Sequence, residues 1–184
     1  MSHRVCPWWL GFVLASPLRR LMQAPGAIVG PHLRAGMRVL EPGPGMGFFT
    51  LEMARRVGAA GRVIAVDIQP KMLASLRRRA TRAGLEGRIE TRLAGEASLK
   101  VEDLAGSVDF ALAFAMVHEL PDSAAFFREV AAALRPGGTL LLAEPAGHVS
   151  AADFERELAQ AAAAGLAVAD HLGIKRSLSA LLRK

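Results

Sequence analysis

The chain has 184 residues, of which 52% are hydrophobic and 22% charged, with a net charge of +6 and one cysteine, Cys6. That length and apolar content suit one globular domain with a full core and exclude a disordered chain. A single cysteine excludes an internal disulfide and a multi-cysteine zinc site, and suits a reducing, cytoplasmic setting.

Residues 5–15 are apolar and follow Arg4, but Pro7 and two tryptophans make a poor signal-peptide core, so export is not expected. No run reaches the roughly 20 apolar residues of a membrane-spanning helix. Met37–Glu41 reads as a first strand, followed by Pro42-Gly43-Pro44-Gly45-Met46-Gly47 and a helix over Phe49–Val57. Arg62–Asp67 reads as a second strand, Pro70–Ala83 as a helix ended by Gly84, and Arg88–Leu93 as a third strand. Val108–Phe114 reads as strand four. A helix over Ser123–Leu134 follows, stopped by a turn at Arg135-Pro136-Gly137-Gly138, and then strand five over Thr139–Glu144. An alanine-rich helix over Ala151–Ala164 precedes two apolar runs, Leu166–Leu172 and Ser177–Leu182. Their short link around Gly173 and Ile174 permits only antiparallel pairing, because a parallel crossover needs a dozen or more residues. Strands alternating with helices imply an α/β domain with a parallel sheet, here finished by an antiparallel hairpin.

The chemistry concentrates where the first strand meets its glycines. A short apolar strand ends on Glu41, and Gly43, Gly45 and Gly47 follow at every second position. Glycine is needed where the backbone takes positive φ or must approach a ligand without a Cβ. Asp67 closes the next apolar strand, and the whole describes a site for an adenosine-containing cofactor. The dinucleotide fingerprint G-x-G-x-x-G does not fit, because the third glycine comes one residue early and Phe48 fills the position that should be small. A phosphate loop would need Gly-Lys-Ser/Thr, which is absent.

Glu41-x-Gly43-x-Gly45-x-Gly47 resembles motif I of the class I S-adenosylmethionine-dependent methyltransferases, and the resemblance covers about residues 35–184. It implies a Rossmann-like, seven-stranded, mostly parallel sheet with a C-terminal antiparallel hairpin and helices on both faces. Residues 1–34 would then form an apolar helical cap on a methyltransferase core. It implies S-adenosylmethionine as cofactor and S-adenosylhomocysteine as product, held by Glu41, Gly43, Pro44, Gly45 and Gly47. Asp67 would hold both ribose hydroxyls, a task suited to a group with two acceptor oxygens and no donor. Ile68 would pack on adenine, Glu96 and Ala97 would meet its amino group, and Phe114 would complete the pocket. The turn at Leu134–Gly138 resembles the family's turn before strand five. A plain surface turn remains the other reading of Glu96.

The acceptor is less constrained. The crevice rule for parallel sheets places the segment after strand four beside the cofactor. Enzymes that methylate base amines carry an Asn/Asp-Pro-Pro-aromatic motif there, which this chain lacks. His118-Glu119-Leu120-Pro121-Asp122 instead resembles small-molecule methyltransferases, including those of quinone biosynthesis. His118 is the candidate general base, with an unperturbed pKa near neutrality of about 6.5, or else a helix-cap or supporting hydrogen bond. Trp8, Trp9, Phe48 and Met116 join His118 as candidates for an apolar acceptor pocket. The N-terminal segment reads as a lid, as an interfacial anchor with Trp8 and Trp9 at headgroup level, or as a helix packed on the sheet or in a homodimer. Arg77, Arg78, Arg79 and Arg82 read as a solvated helix face, since no aromatics interleave them for base stacking. A small-molecule partner is expected and a nucleic acid is not; no metal is expected. The alternatives are an RNA methyltransferase, suggested by charge and motif I, and a cofactor-binding protein without turnover.

Overall fold

The structure, a computed structural model, describes residues 24–184. It divides into two compact units, one ending at Ala94 and the other running from Gly95 to Lys184. Among the described residues no helix is long and apolar enough to cross a membrane.

The first unit is built on three parallel strands, β1 (Arg38–Pro42), β2 (Arg62–Asp67) and β3 (Ile89–Leu93), with β2 in the middle. β1 pairs from Arg38↔Arg62 to Pro42↔Val66, and β2 pairs from Val63↔Ile89 to Asp67↔Leu93. After their exposed first arginines, β1 and β2 are buried at every residue, as expected of parallel strands covered on both faces. Among the described residues helix α1 (Pro25–Val29) is the first element, with proline at its start. Helix α2 (Thr50–Val57) buries Thr50, Met53, Ala54 and Val57 at helical spacing, while Glu52 pairs with Arg56 on its other side at 2.8 Å. It begins one residue later than the sequence suggests, with Phe49 as the residue before its first turn. Helix α3 (Pro70–Arg82) buries Met72, Leu73, Leu76 and Ala80.

In the second unit the strand order is β4-β5-β7-β6. β4 (Val108–Phe114) and β5 (Leu134–Pro145) are parallel; β7 (Ser177–Arg183) runs antiparallel to β5, and β6 (Ala167–His171) antiparallel to β7. Helix α4 (Ser123–Ala133) is capped by the Asp122 carboxylate, which accepts from the Ala125 amide at 2.8 Å. Helix α5 (Ala151–Ala163) starts with a capping box between Ser150 and Asp153. Its buried face is Phe154, Leu158 and Ala161, with one charged member, Glu157.

Most elements fall within a residue of their expected bounds, and the seven strands with a terminal antiparallel hairpin make the Rossmann-like class. One expectation is corrected. Arg135–Gly138 is not a turn before strand five but part of β5, which begins at Leu134. The register passes from Val108↔Leu134 to Phe110↔Thr139, so four residues of β5 bulge against Asp109 alone. Glycine makes this possible: Gly137 has φ +75°, and a Cβ on Gly138 would lie 2.9 Å from the Arg135 carbonyl oxygen and 3.0 Å from that of Val108. The bulge is tied into the sheet, with the Gly137 amide donating to the Lys184 carbonyl and the Lys184 amide to that of Gly138, both at 3.0 Å.

Two loop glycines should differ sharply in tolerance. Gly47 has φ +87° and a Cβ there would collide with Leu76 Cδ1, whereas Gly45 has φ +53° and open space around it. Gly47→Ala should cost roughly 2–4 kcal/mol, combining overpacking with backbone strain, and Gly45→Ala only about 1–2 kcal/mol. Urea denaturation of the two variants would measure this; equal midpoints would refute the packing role of Gly47.

Candidate functional site

The three glycines after β1 all take positive φ, +66° at Gly43, +53° at Gly45 and +87° at Gly47. Two of them also close the loop: the Gly43 amide donates to the Val66 carbonyl and the Gly47 amide to that of Pro44, both at 2.9 Å. Gly43 is exposed, and Gly45 is half-exposed with nothing within 4 Å of where a Cβ would stand, whereas Gly47 is buried. The glycines therefore divide the work: Gly47 lets α3 pack close, and Gly45 leaves room for a ligand. The Arg79 guanidinium donates to the Met46 carbonyl within this loop. Arg79 is thus not part of the solvated arginine face the sequence suggests, although Arg77, Arg78 and Arg82 are exposed.

Two carboxylates close the neighbouring strands. Asp67, at the end of β2, is 8% exposed and accepts from the Gln69 amide at 2.8 Å. Ile68, the residue after β2, and Leu93, opposite Asp67 on β3, are 42% and 52% exposed. Glu41, on β1, is 3% exposed, and its Oε2 has no hydrogen-bond partner among the described residues. Burial pushes its carboxyl up to about 8, with the charge of Asp67 adding to the rise and the Thr50 hydroxyl opposing it. Thr50 Oγ1 is itself buried beside it, near enough to lower the carboxyl pKa but outside good hydrogen-bond geometry with any of the described residues. An open glycine, an acid suited to a diol and a buried acid awaiting a donor fit a cofactor that carries a ribose and positive charge.

The remaining expected cofactor residues, Glu96, Ala97 and Phe114, belong to the second unit. Glu96 and Ala97 are exposed on the turn after β3, and Phe114 ends β4 half-buried. Of the expected acceptor residues, Phe48 is buried, edge-to-face on Phe49 at 5.0 Å, and Met116 is half-buried. Cys6, Trp8 and Trp9 lie outside the described residues.

A second cluster forms beyond β4. Ala115 takes φ +56°, a conformation unusual for a residue with a Cβ, and its amide donates to the Ala143 carbonyl at 2.7 Å. The chain then passes over Glu144 of β5, whose side chain is completely buried. Glu144 Oε1 accepts from the amides of Val117 at 2.8 Å and Met116 at 3.2 Å, and Oε2 bonds His118 Nδ1. Glu119 Oε1 lies 4.0 Å from His118 Nε2, and the His148 ring stands 6.2 Å from the His118 ring. The hydrogen bond to Glu144 raises the His118 pKa; burial opposes it, while the charges of Glu144, Glu119 and Glu157 add to it. Glu157 is 8% exposed, its Oε2 has no hydrogen-bond partner among the described residues, and burial pushes it up to about 7, with Glu144 adding and His118 opposing.

Sequence reasoning singles out His118 but misses Glu144, Glu157, His148 and Thr50. For Glu144 a signal is present: it ends an apolar strand as Glu41 and Asp67 do. For the others no local pattern announces the partnership.

A family model described as a methyltransferase domain matches residues 33–181. The chain is 33% identical over 136 residues to the ubiquinone biosynthesis O-methyltransferase of Xanthomonas axonopodis, covering 73% of this chain and 54% of that protein. It is 33% identical over 119 residues to the ubiquinone/menaquinone biosynthesis C-methyltransferase of Idiomarina loihiensis, covering 65% and 47%. The chain thus spans about half the length of the curated relatives it matches. In fold it is similar to a SAM-dependent methyltransferase from Aquifex aeolicus, with a TM-score of 0.86, 22% identity, and 97% and 99% of the two chains covered.

If Glu144 is what raises His118, Glu144→Gln should lower the His118 pKa toward about 6.5, the value of an unperturbed imidazole. An NMR titration of the His118 ring would read this. An unchanged midpoint would mean that the pair does not control the imidazole.

Proposed function

The chain belongs to the methyltransferase-domain family, the class I S-adenosylmethionine-dependent methyltransferases, and on that premise we propose that it methylates a small, apolar acceptor. The observation that carries the proposal is the segment after β4. Phe114, the last residue of β4, and Met116 beyond it are half-buried, and an imidazole fixed on a buried carboxylate follows them. The relatives named as methyltransferases of quinone biosynthesis support the same class of acceptor.

On this reading Asp67 takes the ribose diol, and the glycine loop with Glu41 takes the methionine portion. A bound S-adenosylmethionine supplies a methyl group already activated on a sulfonium, so alignment of the acceptor contributes most of the acceleration. The protein's own chemical task is the acceptor's proton. Glu144 keeps a hydrogen on His118 Nδ1, which leaves Nε2 as the basic nitrogen of the neutral ring. His118 Nε2 accepts the proton of a hydroxyl or an acidic C–H, and the imidazolium so formed is stabilised by Glu144 and Glu119.

Because its pKa is raised, His118 is more protonated near neutrality than an ordinary histidine, and only its neutral form is a base. Activity should therefore rise with pH, with a midpoint above about 6.5. His118→Gln should lower kcat by about 100-fold or more while leaving cofactor affinity unchanged. Asp67→Ala should weaken cofactor binding roughly 10- to 100-fold, as expected for losing charge-assisted hydrogen bonds. Transfer of labelled methyl from S-adenosylmethionine to quinols, phenols and RNA, with calorimetry of binding, tests all three. Transfer to RNA alone would favour the nucleic-acid alternative. Tight binding without any transfer would favour a protein without turnover.

A further inference from the structure

Glu41 poses a problem that the cofactor reading does not solve. Its side chain is 3% exposed, Oε2 has no hydrogen-bond partner among the described residues, and the Thr50 hydroxyl beside it is equally without one. Among the described residues, the charge that acts on it is that of another acid, Asp67. A carboxylate left in this state is costly: burial removes its water, the Thr50 hydroxyl offsets only part of that loss, no donor reaches Oε2 among the described residues, and the charge of Asp67 adds to the cost. Such an acid is stable if it holds a proton, or if a cation arrives.

We propose that Glu41 is a proton-exchanging anchor, neutral in the cofactor-free protein and ionised once a cationic centre of the cofactor binds, so that loading the donor releases one proton. This rests on S-adenosylmethionine being the ligand. That molecule offers two cationic centres, an α-ammonium and a sulfonium. S-adenosylhomocysteine keeps the first and lacks the second.

The exchange balances simply. The O–H bond of Glu41 breaks, the proton passes to buffer, and the carboxylate left behind faces the bound cation. Burial and Asp67 hold the free group near 8, so it is almost fully protonated at pH 6.5. The α-amino group of the free cofactor is also charged at that pH, its ordinary value being about 7.7–8.0, so the ligand contributes no proton of its own.

The test is calorimetry of S-adenosylmethionine binding at pH 6.5 in buffers of different ionisation enthalpy. The expected result is release of about one proton by the native protein and none by Glu41→Gln. The dissociation constant of the native protein should also tighten about tenfold from pH 6 to pH 7. Release with S-adenosylhomocysteine as well would assign the cation as the ammonium; release with S-adenosylmethionine alone would assign the sulfonium. Binding without proton exchange, release that persists in Glu41→Gln, or affinity that is flat from pH 6 to pH 7 would overturn the proposal and leave the cofactor reading intact. The pH series needs only the native protein, so the test survives a variant that does not fold. Absence of any binding would overturn both.

Discussion

Burying a carboxylate at the end of an apolar strand is costly unless donors or cations replace the lost water, and this chain does it three times. Asp67 is the last residue of β2, and Glu41 and Glu144 stand one residue before the ends of β1 and β5, each after a run of buried aliphatic residues. The three are met differently. Asp67 receives a backbone amide from its own turn. Glu144 receives two amides and an imidazole. Glu41 receives no hydrogen bond to its Oε2 from the described residues. The ranking separates structure from function: the more fully an acid is satisfied within the protein, the more it shapes its surroundings, and the less satisfied, the more it calls for a ligand.

Glycine makes the same point from the backbone side. Gly43, Gly45 and Gly47 look equivalent in the sequence, yet a Cβ at Gly47 would strike Leu76 whereas one at Gly45 would meet nothing. Arg79 strengthens the loop from α3 by taking the Met46 carbonyl. Packing from behind holds the loop rigid, so that its open side keeps a fixed shape.

Much of this was legible before any coordinates. β2 and β4 have the bounds their apolar runs suggest, because a buried parallel strand is written locally, as a continuous hydrophobic stretch ended by a polar residue or a turn. The glycine loop and Asp67 were legible for a related reason, since positive φ and a strand-closing acid leave marks in the sequence. What stayed hidden depends on distant pairing. Pro136-Gly137-Gly138 reads as a turn, and only the strands on either side reveal that it is a bulge. Arg79 looks like its exposed neighbours until the loop 33 residues earlier is folded against it. Glu157 sits in an alanine-rich helix that gives no hint of burial, and its proximity to His118 and Glu144 appears only when α5 packs.

The segment after β4 carries a consequence for sequence change. Ala115 holds a backbone conformation that resists relaxation, and the two amides that follow closely, those of Met116 and Val117, are gathered by the same acid that bonds His118. Loop shape and imidazole basicity therefore cannot drift separately. Shortening Glu144 to aspartate would withdraw it from one side or the other, and glutamine would offer only one acceptor oxygen where two are used. A lineage that retunes this histidine for a new acceptor must rebuild the loop in the same step, or leave position 144 alone and vary the walls around it.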